Sequence, residues 1–142
     1  MEVIKSENQY NMIDWLKKVV IKNYANFEGR ARRSEYWYYT LANILIVLPI
    51  FIVGIVLIGF LELEFLAPVF SGILLLIYLT LFIPSLAVAV RRLHDTGKSG
   101  WALLLGLIPF GGIVLIVFFI LDSDHGDNKW GRNPKQTFEN DM

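Results

Sequence analysis

Three stretches without a charged residue dominate the pattern of polar and apolar positions along the chain. They cover residues 36–61, 65–90 and 101–121 and contain 26, 26 and 21 residues. About 20 apolar helical residues are enough to cross a bilayer core, so each stretch is long enough to span a membrane. A soluble protein of 142 residues could not cover such runs with polar surface. The pattern predicts an all-α integral membrane protein with three transmembrane helices.

The third stretch is interrupted near its middle by Pro109, Gly111 and Gly112. A break there is compatible with a kinked transmembrane helix or with a re-entrant segment that returns to the side it came from. Twenty-one residues are enough to cross a bilayer once and too few to cross it twice. We therefore expect a kinked span, with the re-entrant segment as the alternative.

An amphipathic helix is predicted before the first span, over residues 12–24. Its apolar residues recur at helical spacing, and three lysines lie on the other side, at Lys17, Lys18 and Lys22. Such a helix is expected to lie on an anionic cytoplasmic leaflet, with the lysines toward the lipid headgroups and the tryptophan and leucine side chains toward the acyl chains. The alternative is a helix that packs on the cytoplasmic loop of its own protein.

The charges are unevenly distributed, although the formal net charge is zero. Basic residues concentrate in the N-terminal segment 1–35 and in the loop 91–100, whereas the connector after the first span contains only Glu62 and Glu64. The positive-inside rule places the N-terminal segment and this loop in the cytoplasm. Three spans then place the polar tail, residues 122–142, outside. The first span begins too late and is too long for a cleavable signal core, so we expect it to remain as an anchor.

No established cofactor or metal motif is present. The chain has no cysteine, which excludes disulfides, thiolate metal sites and thiol nucleophiles. Gly97-Lys98-Ser99 lacks the earlier glycine of a phosphate-binding loop. The acidic residues from Asp122 onward lack the glycine and glutamate that an EF-hand requires. We predict no metal, no cofactor and no nucleic-acid partner.

The loop after the second span contains the densest chemistry in the chain. Arg91 and Arg92 could clamp a phosphate, and His94 beside Asp95 could take part in acid–base chemistry. The alternative is an interfacial turn, with Trp101 at the start of the next span. Adjacent residues of a helix do not face each other, so His94 and Asp95 do not form a catalytic pair by their position alone.

A second basic segment, residues 27–37, precedes the first span and ends in aromatic residues suited to the membrane boundary. If both segments lie on the cytoplasmic face, Glu35 and Asp95 are the nearest counter-ions for four arginines. These are Arg30, Arg33, Arg91 and Arg92. Pairing would hold the starts of the first and third spans against the end of the second.

Three polar motifs, taken in order, resemble the signatures of the domain of unknown function 805 family, small bacterial inner-membrane proteins. They are Phe27-x-Gly29-Arg30-x-x-Arg33-x-Glu35-Tyr36-Trp37, then Arg91-Arg92-Leu93-His94-Asp95-x-Gly97-x-Ser99-Gly100-Trp101, then Gly126-x-Asn128-x-Trp130-Gly131-x-Asn133-Pro134. Trp130 stands where tyrosine is expected. The resemblance implies a helical membrane domain in a bacterial inner membrane and no particular biochemical activity.

Three classes of function are compatible with these features. The first is a non-catalytic membrane component that binds anionic lipid, a membrane-protein partner or further copies of itself. The others are a membrane-surface enzyme acting on phosphorylated lipid headgroups, and an oligomeric transporter or channel subunit. The spans contain no ionisable group, which disfavours transport. The binding candidates are Arg30, Arg33, Glu35, Arg91, Arg92, His94, Asp95, Lys17, Lys18 and Lys22; the membrane-boundary anchors are Tyr36, Trp37 and Trp101; and the tail motif comprises Gly126, Asn128, Trp130, Gly131 and Asn133.

Overall fold

The computed structural model describes residues 7–135, which fold mainly into helices. The four α-helices are α1 (Met12–Lys17), α2 (Arg33–Ile55), α3 (Ala67–Asp95) and α4 (Gly111–Ile120). π-helical turns extend α1 through Lys18–Lys22 and α2 through Val56–Phe60. Short 3₁₀ helices cover Glu7–Gln9, Glu64–Leu66 and Gly100–Leu107.

Two continuous helical segments are long and apolar enough to cross a membrane. They cover Arg33–Phe60, with 28 residues, and Glu64–Asp95, with 32 residues. At 1.5 Å per residue they measure about 42 and 48 Å, more than the roughly 30 Å of a bilayer core. Only 11% and 22% of their most apolar windows are buried inside the chain. Their exposed apolar faces therefore require a non-aqueous environment.

The third apolar stretch folds differently from the expected kinked helix. It forms the 3₁₀ helix Gly100–Leu107 and α4, which pack against each other. Each is only about 15 Å long, half the thickness of a bilayer core. The chain reverses between them through Phe110, whose φ is 62°. A Cβ atom at Gly111 would lie 1.7 Å from the Leu105 carbonyl oxygen, so glycine permits this close approach. We call residues 100–121 the hairpin.

Both ends of the hairpin lie beside the C-terminal end of α3. Gly100 packs so closely on α3 that a Cβ there would lie 2.8 Å from Val90 Cγ1. At the other end, the Arg92 Nε donates to the Phe119 carbonyl at 3.2 Å. The Asp124 amide donates to the Asp95 carbonyl at 2.8 Å. We call this region, where α2 begins and α3 and α4 end, the polar end of the molecule.

The apolar face of α1 packs on the protein itself. Trp15 and Val19 are 2% and 0% exposed. Val19 lies in a cluster with Ala31, Tyr39 and Val88. The expectation that the tryptophan side of this helix dips into the acyl chains is therefore wrong, and intramolecular packing is what the structure has. The reason is that α2 and α3 offer the apolar surface that this face needs.

A tyrosine hydroxyl repairs a break in the α3 hydrogen-bond ladder. Pro84 lies inside α3 and has no amide proton to donate to the Thr80 carbonyl. The Tyr24 hydroxyl donates to that carbonyl instead, at 2.7 Å. In an apolar environment an unpaired carbonyl is costly. The segment after α1 is thus tied to the middle of α3.

Candidate functional site

A carboxylate at the end of α3 is the centre of the polar end. Asp95 is fully buried and forms ion pairs with Arg30, at 3.0 Å from Nε to Oδ1, and with Arg92. The Ser123 hydroxyl donates to the same carboxylate at 2.6 Å. Arg92 also donates to the carbonyls of Phe119 and Leu121 at the end of α4. One carboxylate therefore joins the basic segment 27–37, α3 and the segment that follows the hairpin.

Arg30 extends this network into the tail. Its guanidinium donates to the carbonyls of Gly126 at 2.8 Å and Asp124 at 2.9 Å, with a longer contact to Gly131 at 3.4 Å. Gly126 and Gly131 adopt positive φ values of 73° and 126°, which direct the backbone around the guanidinium. The Asn133 side chain closes the same turn by donating to the Asp124 carbonyl at 3.1 Å.

Glu35 is the centre of a second buried group of charges. It is 0% exposed and accepts from Arg91 Nη1 at 2.5 Å, and the Lys18 Nζ lies 2.7 Å from its other oxygen. Lys18 also contacts Glu7 at 2.7 Å. Burial alone would lower the pKa of Lys18, but the ion pairs with Glu35 and Glu7 outweigh it and raise that pKa above its ordinary value. The ammonium group therefore remains charged and links α1 to α2.

His94 is held between the first and third motifs. Its Nδ1 lies 3.2 Å from the Gly29 carbonyl, and its ring stacks on Trp130 at 4.5 Å with an interplanar angle of 10°. The Asn128 side chain donates to the His94 carbonyl at 3.0 Å. His94 and Asp95 thus have different partners, as expected for neighbours on a helix. The tryptophan at position 130 supplies the aromatic surface that packs on the imidazole.

The predicted ion pairs form for three of the four arginines. Arg30 and Arg92 pair with Asp95, and Arg91 pairs with Glu35. The prediction is wrong for Arg33, whose nearest carboxylate is Asp122 at 3.5 Å. Arg33 projects from the first turn of α2 toward the end of α4, and its side chain is 45% exposed.

The remaining candidates have different surroundings. Lys17 and Lys22 are exposed, whereas Lys18 is occupied by the buried glutamate. Tyr36 is half-buried and packs against Phe119 at 4.4 Å between ring centroids. The Trp37 ring is 40% exposed and donates to the Phe119 carbonyl at 3.2 Å. Trp101 is 78% exposed, which fits an anchor at the membrane boundary.

Two partners of the buried charges could not be identified from the sequence. Ser123 has no motif around it that marks it as a hydrogen-bond donor to Asp95. Lys18 was predicted on the same side of the helix as Lys17 and Lys22. Which of these lysines pairs with Glu35 depends on how α1 packs. The backbone turn around Arg30, in contrast, had a signal in the sequence, because the glycines and asparagines of the third motif are typical of tight turns.

The buried arginines and carboxylates are paired with one another inside the protein. Asp95, Glu35 and Arg92 have no exposed surface, so a soluble substrate cannot reach them. The Nε and Nη2 of Arg91 are buried without a hydrogen-bond partner among residues 7–135, and such unsatisfied donors are costly. Over the same residues, no group of histidine and carboxylate side chains is positioned to hold a metal ion.

Comparison with known proteins places the chain among bacterial membrane proteins. Inner membrane protein YhaI of Escherichia coli K12 is 47% identical over 118 residues, 82% of this chain and 92% of YhaI. Inner membrane protein YhaH of the same strain is 42% identical over 127 residues, 87% of this chain and 98% of YhaH. No solved structure matches. A family model described as "Protein of unknown function (DUF805)" matches residues 24–132, which include the first two motifs and the third as far as Arg132, and the chain therefore belongs to the DUF805 family of membrane proteins.

Proposed function

We propose that this protein is a non-catalytic component of the bacterial inner membrane that binds anionic lipids at the polar end. The observation that carries the proposal is the separation of its basic groups. Arg30, Arg91 and Arg92 are buried and paired with carboxylates, whereas Arg33, Lys17 and Lys22 remain exposed. These three exposed cations can therefore meet an anionic surface, although Arg33 also contacts Asp122 at 3.5 Å.

The outward side of α1 and its π-helical extension supports this function. Ile13 and Ile21 are 57% and 73% exposed, and Lys17 and Lys22 are exposed near them. Apolar and basic side chains on one surface are typical of a segment that lies at the headgroup boundary. This surface lies opposite the face that was expected to contact lipid. That face carries Trp15 and Val19, which are buried against the protein.

For the topology we propose two spans, Arg33–Phe60 and Glu64–Asp95, followed by a re-entrant hairpin. The N-terminal segment, the loop after α3 and the tail would then lie together in the cytoplasm. The proposal is supported by the hydrogen bonds that join the tail to Asp95 and by the basic loop 91–100. It replaces the extracytoplasmic tail expected from three spans.

The enzyme alternative receives less support from the geometry. A reaction on a lipid headgroup needs charged groups that the headgroup can touch. Arg30, Arg91, Arg92 and Asp95 are buried in the protein, and each is paired with an opposite charge there. His94 lines an open groove of about 460 Å³ next to Trp101 and Ser99, and Arg33 lines another at the start of α2.

The function is tested by lipid selectivity in mixed bilayers. We expect phosphatidylglycerol to be enriched around the purified protein relative to phosphatidylcholine, because each basic residue near the surface contributes about 1 kcal/mol with anionic lipid. The double variant Lys17→Gln, Lys22→Gln should lose much of the enrichment, and the Lys17→Arg, Lys22→Arg control should keep it. The preference should weaken as salt is added.

Lipid mass spectrometry of nanodiscs extracted from bilayers with equal amounts of the two lipids measures the enrichment. Equal amounts of both lipids around the unmodified protein would contradict the proposed function. Turnover of a phosphorylated lipid by the purified protein would support the enzyme instead.

A further inference from the structure

A groove lies at the polar end between the first turns of α2 and the end of α4. It has a volume of about 370 Å³ and is lined by Arg33, Ser34, Trp37, Tyr38, Leu41 and Ile120. This volume is in the range of small-ligand sites. Its residues run from a cation at the start of α2 to apolar side chains two turns farther into the span.

The cation at the mouth of the groove is weakly held. Arg33 contacts the Asp122 carboxylate at 3.5 Å and the Ile120 carbonyl at 3.4 Å, longer than the 3.0 Å pair of Arg30 with Asp95. Asp122 is held more closely by Lys135 and by the Ser123 amide, at 2.7 Å in the second case. The three charges at the mouth, Arg33, Lys135 and Asp122, sum to one positive charge.

The start of α2 adds a second feature that favours an anion. The helix begins at Arg33, and no side chain caps it. The first amide groups of a helix have no partner within the helix and attract negative charge. Here this end lies beside a half-exposed guanidinium, which forms charge-assisted hydrogen bonds to phosphate.

The inner part of the groove is suited to a hydrocarbon chain. Trp37, Tyr38 and Leu41 are 40%, 42% and 45% exposed, so each presents apolar surface on the outside of the bundle. The hydrogen bond from Trp37 Nε1 to the Phe119 carbonyl fixes the orientation of the indole ring. The groove therefore has a positive end at the headgroup level and an apolar wall along the acyl region.

We infer that this groove binds one phospholipid with an anionic headgroup. The phosphate contacts Arg33 and the first turn of α2, and an acyl chain lies along Trp37 and Leu41. The inference rests on the proposed function, because it assigns one part of the anionic-lipid binding to a defined site. A zwitterionic lipid binds less tightly, because its own cation opposes the net positive mouth.

Native mass spectrometry of the delipidated full-length protein tests the site. Phosphatidylglycerol, phosphatidylcholine and soluble glycerol phosphate are titrated separately. We expect the Arg33→Gln variant to bind phosphatidylglycerol about tenfold less tightly, the size of one lost charge-assisted hydrogen bond. Arg132→Gln, which removes an exposed cation of the tail, should bind it like the unmodified protein. Unchanged melting of Arg33→Gln establishes that the variant is folded.

The outcomes separate this site from the broader function. If the unmodified protein prefers phosphatidylglycerol and Arg33→Gln keeps the full affinity, the groove assignment is wrong while anionic-lipid binding stands. No preference in the unmodified protein overturns both. Competition by glycerol phosphate as strong as that by the lipid would overturn the lipid assignment, because the acyl chain would then contribute nothing.

Discussion

Replacing Asp95 by asparagine is expected to destabilise the protein by about 3–5 kcal/mol, the cost of breaking a buried ion pair. The carboxylate is fully buried, and its loss leaves the guanidiniums of Arg30 and Arg92 without their counter-ion. The asparagine can still accept a hydrogen bond, so the effect isolates the charge. Thermal unfolding in nanodiscs, followed by tryptophan fluorescence, measures the loss.

Asp122→Asn is the matched control for this prediction. Asp122 also contacts an arginine, but its side chain is 59% exposed and solvent screens the pair. We expect a change of at most about 1 kcal/mol. Equal stability of Asp95→Asn and the unmodified protein would show that the cluster does not hold the polar end together.

Gly111→Ala is expected to disrupt the hairpin, whereas Gly112→Ala should be tolerated. The added methyl at position 111 would lie 1.7 Å from the Leu105 carbonyl oxygen and 2.6 Å from its carbon. Both atoms belong to the backbone and cannot move aside as a side chain can. We expect a loss of about 3 kcal/mol, at the upper end of overpacking effects.

The neighbouring glycine provides the control on the same helix. A Cβ at Gly112 meets nothing within 4 Å. Alanine is a better helix former than glycine by about 1 kcal/mol, so Gly112→Ala should be neutral or stabilising. Similar melting temperatures for the two variants would mean that residues 105 and 111 are not in close contact.

The two long apolar helices were predictable because their signal in the sequence is local. Residues 36–61 and 65–90 are long uninterrupted apolar runs, and the two long helices contain all of these residues except Leu61. The helices extend beyond these limits, to Arg33 and Asp95, because the charges at their ends are paired within the protein. Hydropathy alone ends a span at the first charge and cannot recognise such pairing.

The hairpin was not predictable from length. A run of 21 residues fits a single crossing of the membrane. The hairpin depends instead on the close contact between Gly111 and Leu105, which sequence length does not show. The packing of α1 depends in the same way on surface offered by α2 and α3. The ion pairs were partly predictable, because few carboxylates occur near the four arginines. The partner of Arg33 was not predictable, because the fold of the hairpin is what brings Asp122 close to Arg33.

The position of the tail relative to the two ends of α3 is the most direct test of the re-entrant hairpin. The chain contains no cysteine, so cysteine pairs at Ser99 with Lys129 and at Glu62 with Lys129 can be spin-labelled without interference. Asn128 bonds to the His94 carbonyl at 3.0 Å, which holds the tail at the polar end. Glu62 lies beyond the opposite end of α3, a helix of about 43 Å. Double electron–electron resonance in nanodiscs measures both distances. The distance between positions 99 and 129 should be shorter than the roughly 30 Å of a bilayer core, and the distance between positions 62 and 129 should be longer. The reverse order would show that the third apolar stretch crosses the membrane and would contradict the re-entrant hairpin.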